Sequence, residues 1–187
     1  MVGAHVELGD PRTAEETCLV YRRRHGRELS AEGYAVLGRA LQAQDGLFDA
    51  LVCLLEGATA VVPESATTWQ LLRLAADCLF GLGDLAQAHD FLVGHLLKVV
   101  RRLDDPALLS SSWGLIGLAR MRLGLLPDAR EASRQALGYA RSSGRTQDES
   151  DWLGNLGSTA LMEGDPEEAG RDVVRRGAGA VAPHREP

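Results

Sequence analysis

Histidines and carboxylates are the residues of this 187-residue chain that could carry out acid–base or metal chemistry. His89 and His95 lie six positions apart on one predicted helix, whereas two ligands on one helical face need a separation of three or four. The acidic groups Asp148-Glu149-Asp151 and Glu163-Asp165-Glu167-Glu168 fall at predicted helix starts or turns, where negative charge complements the helix dipole. General acid–base catalysis needs a carboxylate that is desolvated in a pocket. We therefore expect a non-enzyme with no catalytic residues, no metal site and no cofactor.

Cysteine and arginine offer two further kinds of chemistry. The three cysteines form no C-x-x-C pair, and each falls in an apolar helical stretch, which predicts reduced core residues: Cys18, Cys53 and Cys78. The densest basic run, Arg22-Arg23-Arg24-His25, ends a predicted helix, where cations stabilise the dipole. A contact with a partner or a nucleic acid is the alternative for this run. The net charge of −6 makes direct nucleic-acid binding unexpected, because such binding relies on clustered positive charge.

The composition favours helices over a sheet. Hydrophobic residues make up 45% of the chain and aromatic residues only 5%, and Ala, Leu and Gly are abundant. Small residues suit closely packed helices, whereas strands favour β-branched and aromatic side chains. The first nine residues do not resemble a signal peptide, and no apolar run approaches the ~20 residues that cross a bilayer. We expect a soluble, cytoplasmic protein with no membrane contact.

One sequence element occurs five times along the chain. It is a glycine followed within a few residues by an alanine in a helical pattern, and the alanines are separated by 36, 38, 41 and 40 residues: Ala14, Ala50, Ala88, Ala129 and Ala169. The glycine is predicted to end the first helix of a hairpin in a left-handed conformation. In the first and last copies an Asp can cap the second helix, and a Pro stands in its first turn. The alanine lets the two helices approach closely.

A second cluster precedes each full copy, and it carries a family resemblance. A large apolar residue is followed three and four positions later by an apolar and a tiny residue, as in Trp113-Ile116-Gly117 and Tyr34-Leu37-Gly38. Together with the Gly-led turn and the alanine, this pattern resembles the tetratricopeptide repeat (TPR). His95 stands where that repeat has a small residue. The copies exceed the standard 34 residues, and such extended units resemble the sensor arrays of bacterial transcription regulators.

The resemblance implies an all-α fold, a right-handed superhelix of TPR-like hairpins. We expect a repeat domain over residues 1–177 and a disordered tail over 178–187. Within the domain we expect a half repeat and four hairpins: 1–25, then 31–61, 66–101, 107–143 and 147–176. Because the predicted ends lack a polar capping helix, we expect them to pack on a partner or a second copy, or to continue in a longer array.

The resemblance also implies that the first helix of each hairpin lines a concave groove. Chaperone-binding relatives grip a carboxylate with Lys and Asn there, but Ala35, Gly114 and Leu118 occupy those positions, so this activity is not expected. The sequence predicts a scaffold module that binds a protein or peptide segment in the groove. The alternative is the sensor part of a bacterial transcription regulator. The predicted groove residues are Arg39, Gln42, Arg73, Asp77, Phe80, Leu118, Met121, Arg122, Asn155, Ser158, Leu161 and Met162.

Overall fold

A computed structural model describes residues 11–25 and 29–171 of the chain. The described residues are helical with short turns and contain no strand. They divide into two compact units, which meet in the sequence between Phe91 and Leu92. Each unit is described below by itself.

The described residues of unit 1 form five helices: α1 (Pro11–His25), α2 (Ala31–Gln42), α3 (Leu47–Ala60), α4 (Ala66–Gly81) and α5 (Leu85–Phe91). Unit 2 begins with a π-helical turn (Leu92–Leu96) and continues with α6 (Leu97–Leu103), α7 (Pro106–Arg122), α8 (Leu126–Ser142) and α9 (Thr146–Glu163). Residues 166–171 are again helical. In each unit, helices that follow one another pack together, and α2 also contacts α4, as α7 contacts α9. No helix among these combines the length and apolar character that crossing a membrane requires.

Side-chain caps define several helix starts. Ser30 Oγ accepts a hydrogen bond from the Gly33 N–H at 3.2 Å, which begins α2. Asp105 Oδ1 accepts from two amide groups at the start of α7, at 2.8 and 3.2 Å, and Pro106 fills the first helical position. Such caps satisfy amide groups that lack a partner inside the helix. The predicted cap at Asp165 is confirmed by a 2.9 Å bond from the Glu168 N–H.

The left-handed glycine predicted at each repeat turn is confirmed at three positions, with φ of 79°, 77° and 81°: Gly83, Gly124 and Gly164. The prediction is wrong in the second copy. There Asp45 adopts the left-handed conformation (φ 60°), and Gly46 has φ −80°. The helix ends one residue earlier than the pattern implies, so the Gly46 N–H donates to Leu41 O at 2.9 Å, the six-residue bond that closes this type of turn. The first copy, at Gly9, lies outside the described residues.

Tiny residues set the close approach of paired helices. The four described repeat alanines are at most 3% exposed: Ala50, Ala88, Ala129 and Ala169. A Cβ placed on Gly38 would lie 2.6 Å from the Leu54 side chain, and one on Gly117 would lie 2.9 Å from Ser133 Oγ. Only glycine fits such contacts. The predicted role of the repeat's small residues is therefore confirmed in both units.

The three cysteines lie in the core of unit 1. All are buried free thiols, as predicted: Cys18, Cys53 and Cys78. Burial raises the pKa of the Cys18 thiol and, as the largest cause, that of the Cys78 thiol. A raised pKa keeps a thiol protonated and unreactive near neutral pH. They pack with the fully buried Leu54 and Leu71.

The π-helical turn explains how the chain accommodates His95. His95 lies seven residues after the repeat alanine Ala88 and is exposed. The residue at the equivalent position of the next copy, Ala136, is completely buried. A π-helical turn contains one residue more than an α-helical turn, so it shifts which side chains face inward. In this turn Leu96 is completely buried in place of the histidine.

The predicted domain limits stay a prediction. The tail over 178–187 and the end of the last predicted hairpin lie outside the described residues, as does the Val173-Val174-Arg175-Arg176 segment, where the sequence predicts no polar capping helix. The last described helix is joined to its neighbours by Arg130 of α8. Its guanidinium bonds the carboxylate of Glu168 at 2.5 Å and also that of Glu163 on α9.

Candidate functional site

In unit 1, the predicted groove residues of α2 are used in packing. Gln42 donates its side-chain amide to Leu74 O at 3.4 Å and to Cys78 Sγ at 3.1 Å, which ties α2 to α4. The Arg39 Nε–H donates to Ala35 O at 3.3 Å on its own helix. Both side chains are therefore held by intramolecular bonds, and the α2 side of this face is ordered without a ligand.

The α4 side of the same face carries an ion pair. Arg73 and Asp77 lie one helical turn apart, with 2.9 Å between Nη1 and Oδ2, and each side chain is about one-third exposed (34% and 37%). Burial raises the pKa of the Asp77 carboxyl above its usual range, and the Arg73 guanidinium partly offsets this rise. Phe80 is half-buried one turn further along. The two charges neutralise each other, so unit 1 presents no uncompensated charge at these positions.

The raised pKa of Asp77 predicts a pH dependence. The folded chain should hold this proton at pH values where the unfolded chain has already lost it, so stability should fall as pH rises from the ordinary value of 3.8 through the folded-state pKa. Urea unfolding at a series of pH values should show that this fall in stability occurs in the wild type and not in Asp77→Asn. A carbon-13 NMR titration that placed the Asp77 pKa below 3.8 would contradict the prediction.

In unit 2, α7 and α9 border an open depression of about 450 Å³. It contains three of the predicted groove residues and five residues that the prediction missed. Helix α7 contributes Gly114, Leu115 and Leu118, and α9 contributes Asp151, Trp152, Gly154, Asn155 and Ser158. Trp152 was missed because the repeat pattern assigns the large apolar position to Leu153, its neighbour in sequence.

The floor of the depression is rigid. The Trp152 ring lies directly on Gly114, where any Cβ would overlap it. Its Nε1–H donates to Ser110 Oγ at 2.8 Å, and the Ser110 hydroxyl donates to Ala136 O at 3.0 Å. Ser110 is completely buried, so this chain of bonds ties α9 to α7 and α8 in the core. The ring therefore excludes any side chain larger than that of glycine at position 114.

The two walls of the depression differ in chemistry. Leu115 and Leu118 form an apolar wall on α7, whereas the α9 wall is polar. On α9, Ser158 donates to Gly154 O at 2.9 Å. Within the described part of the chain, the side-chain amide of Asn155 has no hydrogen-bond partner, although the residue is half-buried. A polar amide in this position offers one donor group and one acceptor to a ligand.

The other predicted residues lie near the ends of these two helices. Met121 is half-buried and Arg122 exposed at the end of α7. Leu161 and Met162 of α9 are 62% and 56% exposed, which is unusual for large apolar side chains. They do not line the depression, but helical spacing places Met162 on the same face of α9 as Asp151.

A second depression of unit 2, of about 410 Å³, lies between α6, α7 and α8. Arg101 and Trp113 both line it, and the Arg101 guanidinium lies over the Trp113 ring at 5.9 Å from the ring centre. Two of its polar side chains bond within the chain: Gln135 donates to Glu131 at 2.9 Å, and Arg120 donates to Asp128 O at 3.3 Å. Nor do the described residues include a group of three His, Cys, Asp or Glu side chains able to hold a metal ion. The α7–α9 depression contains three of the predicted groove residues and this one contains none, so the α7–α9 depression is the better candidate site.

Comparison with solved structures identifies the fold. BtubC (BKLC) from P. vanneervenii superimposes with a TM-score of 0.78 at 19% identity, covering 96% of this chain and 79% of that chain. The apo form of RapI gives 0.82 at 13% identity, covering 92% and 65%. Nearly identical TPR-like repeats from Podosopora anserina give 0.72 at 15% identity, covering 90% and 84%. No protein-family model matches the sequence, and no curated protein is significantly similar to it. The chain has the all-α TPR-like fold of helical hairpins, which confirms the prediction from sequence.

Proposed function

We propose that this chain is a non-enzymatic protein-interaction module, which binds an extended peptide segment of a partner protein on the α7–α9 face of unit 2. The observation that carries the proposal is the open depression in which an apolar wall faces the unpartnered amide of Asn155, above a rigid tryptophan floor. A site that is already ordered loses less conformational entropy when it binds its ligand.

An extended segment matches the chemistry of both walls. Its backbone N–H and C=O groups need partners, which the Asn155 amide can provide on one side. Leu115 and Leu118 can bury an apolar side chain of the segment on the other side. The Ser158 hydroxyl donates to Gly154 O and the Asp151 carboxylate accepts from Gln147, so the two are not paired as nucleophile and base, and the site provides contacts for binding.

Replacing Leu118 with aspartate should strongly weaken this binding. Peptides would first be selected from a display library on the full chain, and their affinity would be measured by fluorescence anisotropy. Losing the contact with Leu118 should weaken binding at least about tenfold, because burying a leucine side chain contributes about 1.5–3 kcal/mol. Leu118→Ala provides a second variant without a new charge, and circular dichroism checks that both remain helical.

Leu125→Asp is the matched control for this experiment. Leu125 is 43% exposed in the turn before α8 and does not line the depression, so this variant should bind the selected peptides like the wild type. Equal binding by the Leu118→Asp variant, or equal loss in the Leu125→Asp variant, would refute the proposed site.

The remaining expectations from sequence stay predictions. They are groove contacts by the unit 1 residues, self-association through the repeat ends, a cytoplasmic location and the alternative role as the sensor part of a transcription regulator. The Arg73–Asp77 pair and the bonds of Gln42 already satisfy the polar groups of the unit 1 face. For this reason the proposal is placed on unit 2.

A further inference from the structure

We infer that the bound segment carries a basic side chain that pairs with Asp151, and an apolar side chain about five residues away that covers Met162 and Leu161. This inference rests on the proposed function and specifies the kind of peptide that the site recognises. It depends on three features of α9: its pattern of ion pairs, the chemistry of the depression and the spacing along the helix.

The first turns of α9 contain three acidic residues, two of which are neutralised within the chain. Asp148 pairs with Arg145 at 2.9 Å, and Glu149 pairs with Arg141 at 2.8 Å. Asp151 differs, because its carboxylate accepts a hydrogen bond at 3.1 Å from Gln147, whose amide is neutral. Its negative charge is therefore not compensated by a cation of the described chain.

Asp151 is also the only charged residue among the described residues that line the depression. Asp151 is exposed, so water solvates its carboxylate in the free protein. An acidic ligand would be repelled there, and a neutral ligand that covered the carboxylate would remove this water without supplying a counter-charge. An arginine or lysine of the segment would supply that charge, and arginine can also bond both carboxylate oxygens. Charge complementarity therefore selects a basic segment.

The apolar end of the same helical face sets the spacing. Asp151 and Met162 are eleven positions apart, and a rise of 1.5 Å per residue separates them by about 16 Å. An extended chain advances about 3.3 Å per residue, so about five residues of a bound segment span this distance. Leu161 and Met162 are more than half exposed, and an apolar side chain at that point would remove them from water.

The test uses the full chain and the peptides selected from the library. We expect them to share an Arg or Lys about five residues from an apolar residue. Asp151→Asn should bind such a peptide about three- to tenfold more weakly, whereas a peptide with Gln in place of the basic residue should bind both proteins equally. Asp151→Lys should select peptides with an acidic residue at that position instead. Raising the salt concentration should weaken wild-type binding more than Asp151→Asn binding.

Asp49→Asn is the matched control, because it removes the same charge from an exposed position on α3. It should leave the peptide affinity unchanged. Selected peptides that depend on Leu118 but contain no basic residue, or a basic peptide whose affinity is unaffected by Asp151→Asn, would overturn this inference and leave the proposed function standing. Failure to select any peptide that depends on Leu118 would overturn the proposed function itself. A second copy of the chain on this face, seen as a dimer that Asp151→Lys dissociates, would also overturn the inference.

Discussion

Replacing Gly114 with alanine is expected to lower the free energy of unfolding of unit 2 by about 2–3 kcal/mol. The Trp152 ring occupies the space that a Cβ would take, and the ring is held in place by its bond to the buried Ser110. Neither partner can move without breaking this bond or separating α7 from α9, and overpacking of this kind costs about 1–3 kcal/mol. Urea unfolding followed by tryptophan fluorescence measures the change.

Gly138→Ala is the control for this substitution. Gly138 lies within α8 and is exposed, and a Cβ added there would have no atom within 4 Å. Because alanine favours the helix over glycine, this variant should be more stable than the wild type by about 0.5–1 kcal/mol. The same Gly-to-Ala change is therefore expected to have opposite signs at two helical positions of one unit.

A double-mutant cycle assigns the effect to the tryptophan. In a Trp152→Ala background the ring is absent, so Gly114→Ala should no longer destabilise and should act like Gly138→Ala. If Gly114→Ala costs the same in both backgrounds, the contact between the ring and the glycine is not its cause.

Leu54→Ala is expected to lower the stability of unit 1 by about 2–5 kcal/mol. Leu54 is completely buried in α3 and packs against Gly38 of α2. Truncating it leaves a cavity at a close contact between these two helices, and leucine-to-alanine substitutions in cores have costs in this range. Hydrogen exchange of the backbone amides in α2, α3 and α4 measures the effect within unit 1.

Val52→Ala on the same helix is the control. Val52 is 43% exposed, so its truncation should change stability by no more than about 0.5 kcal/mol. A comparable loss of protection in the two variants would contradict the assignment of Leu54 to the core and Val52 to the surface.

The amino-acid sequence determined the repeat architecture because the signals involved are local. A glycine that tolerates a left-handed turn, an Asp that caps the next helix and an apolar periodicity of a helix each act over a few residues. Five copies of the same pattern therefore predicted the hairpins and the buried alanines. Such signals do not separate neighbouring positions. The left-handed residue of the second copy is Asp45 and not Gly46, and both residue types tolerate this conformation.

The candidate site was only partly predictable. Leu118, Asn155 and Ser158 follow from the repeat register, because helical spacing determines which face of a helix they occupy. Their use does not follow from spacing: Arg39 has the place of Leu118 and Ser158 in its own repeat, yet its Nε–H donates to Ala35 O on its own helix.

The tertiary structure alone decided which acidic and aromatic residues belong to the site. Asp151 resembles Asp148 and Glu149 in sequence, and only the positions of Arg145 and Arg141 show that those two are neutralised and Asp151 is not. Trp152 becomes the floor of the depression because Gly114 lies opposite it on another helix, 38 positions earlier in the chain. Local periodicity determines the elements. The pairing of Arg141 with Glu149 depends on the turn that brings α8 and α9 together, and the contact of Trp152 with Gly114 joins residues distant in sequence, so both appear only when the helices pack.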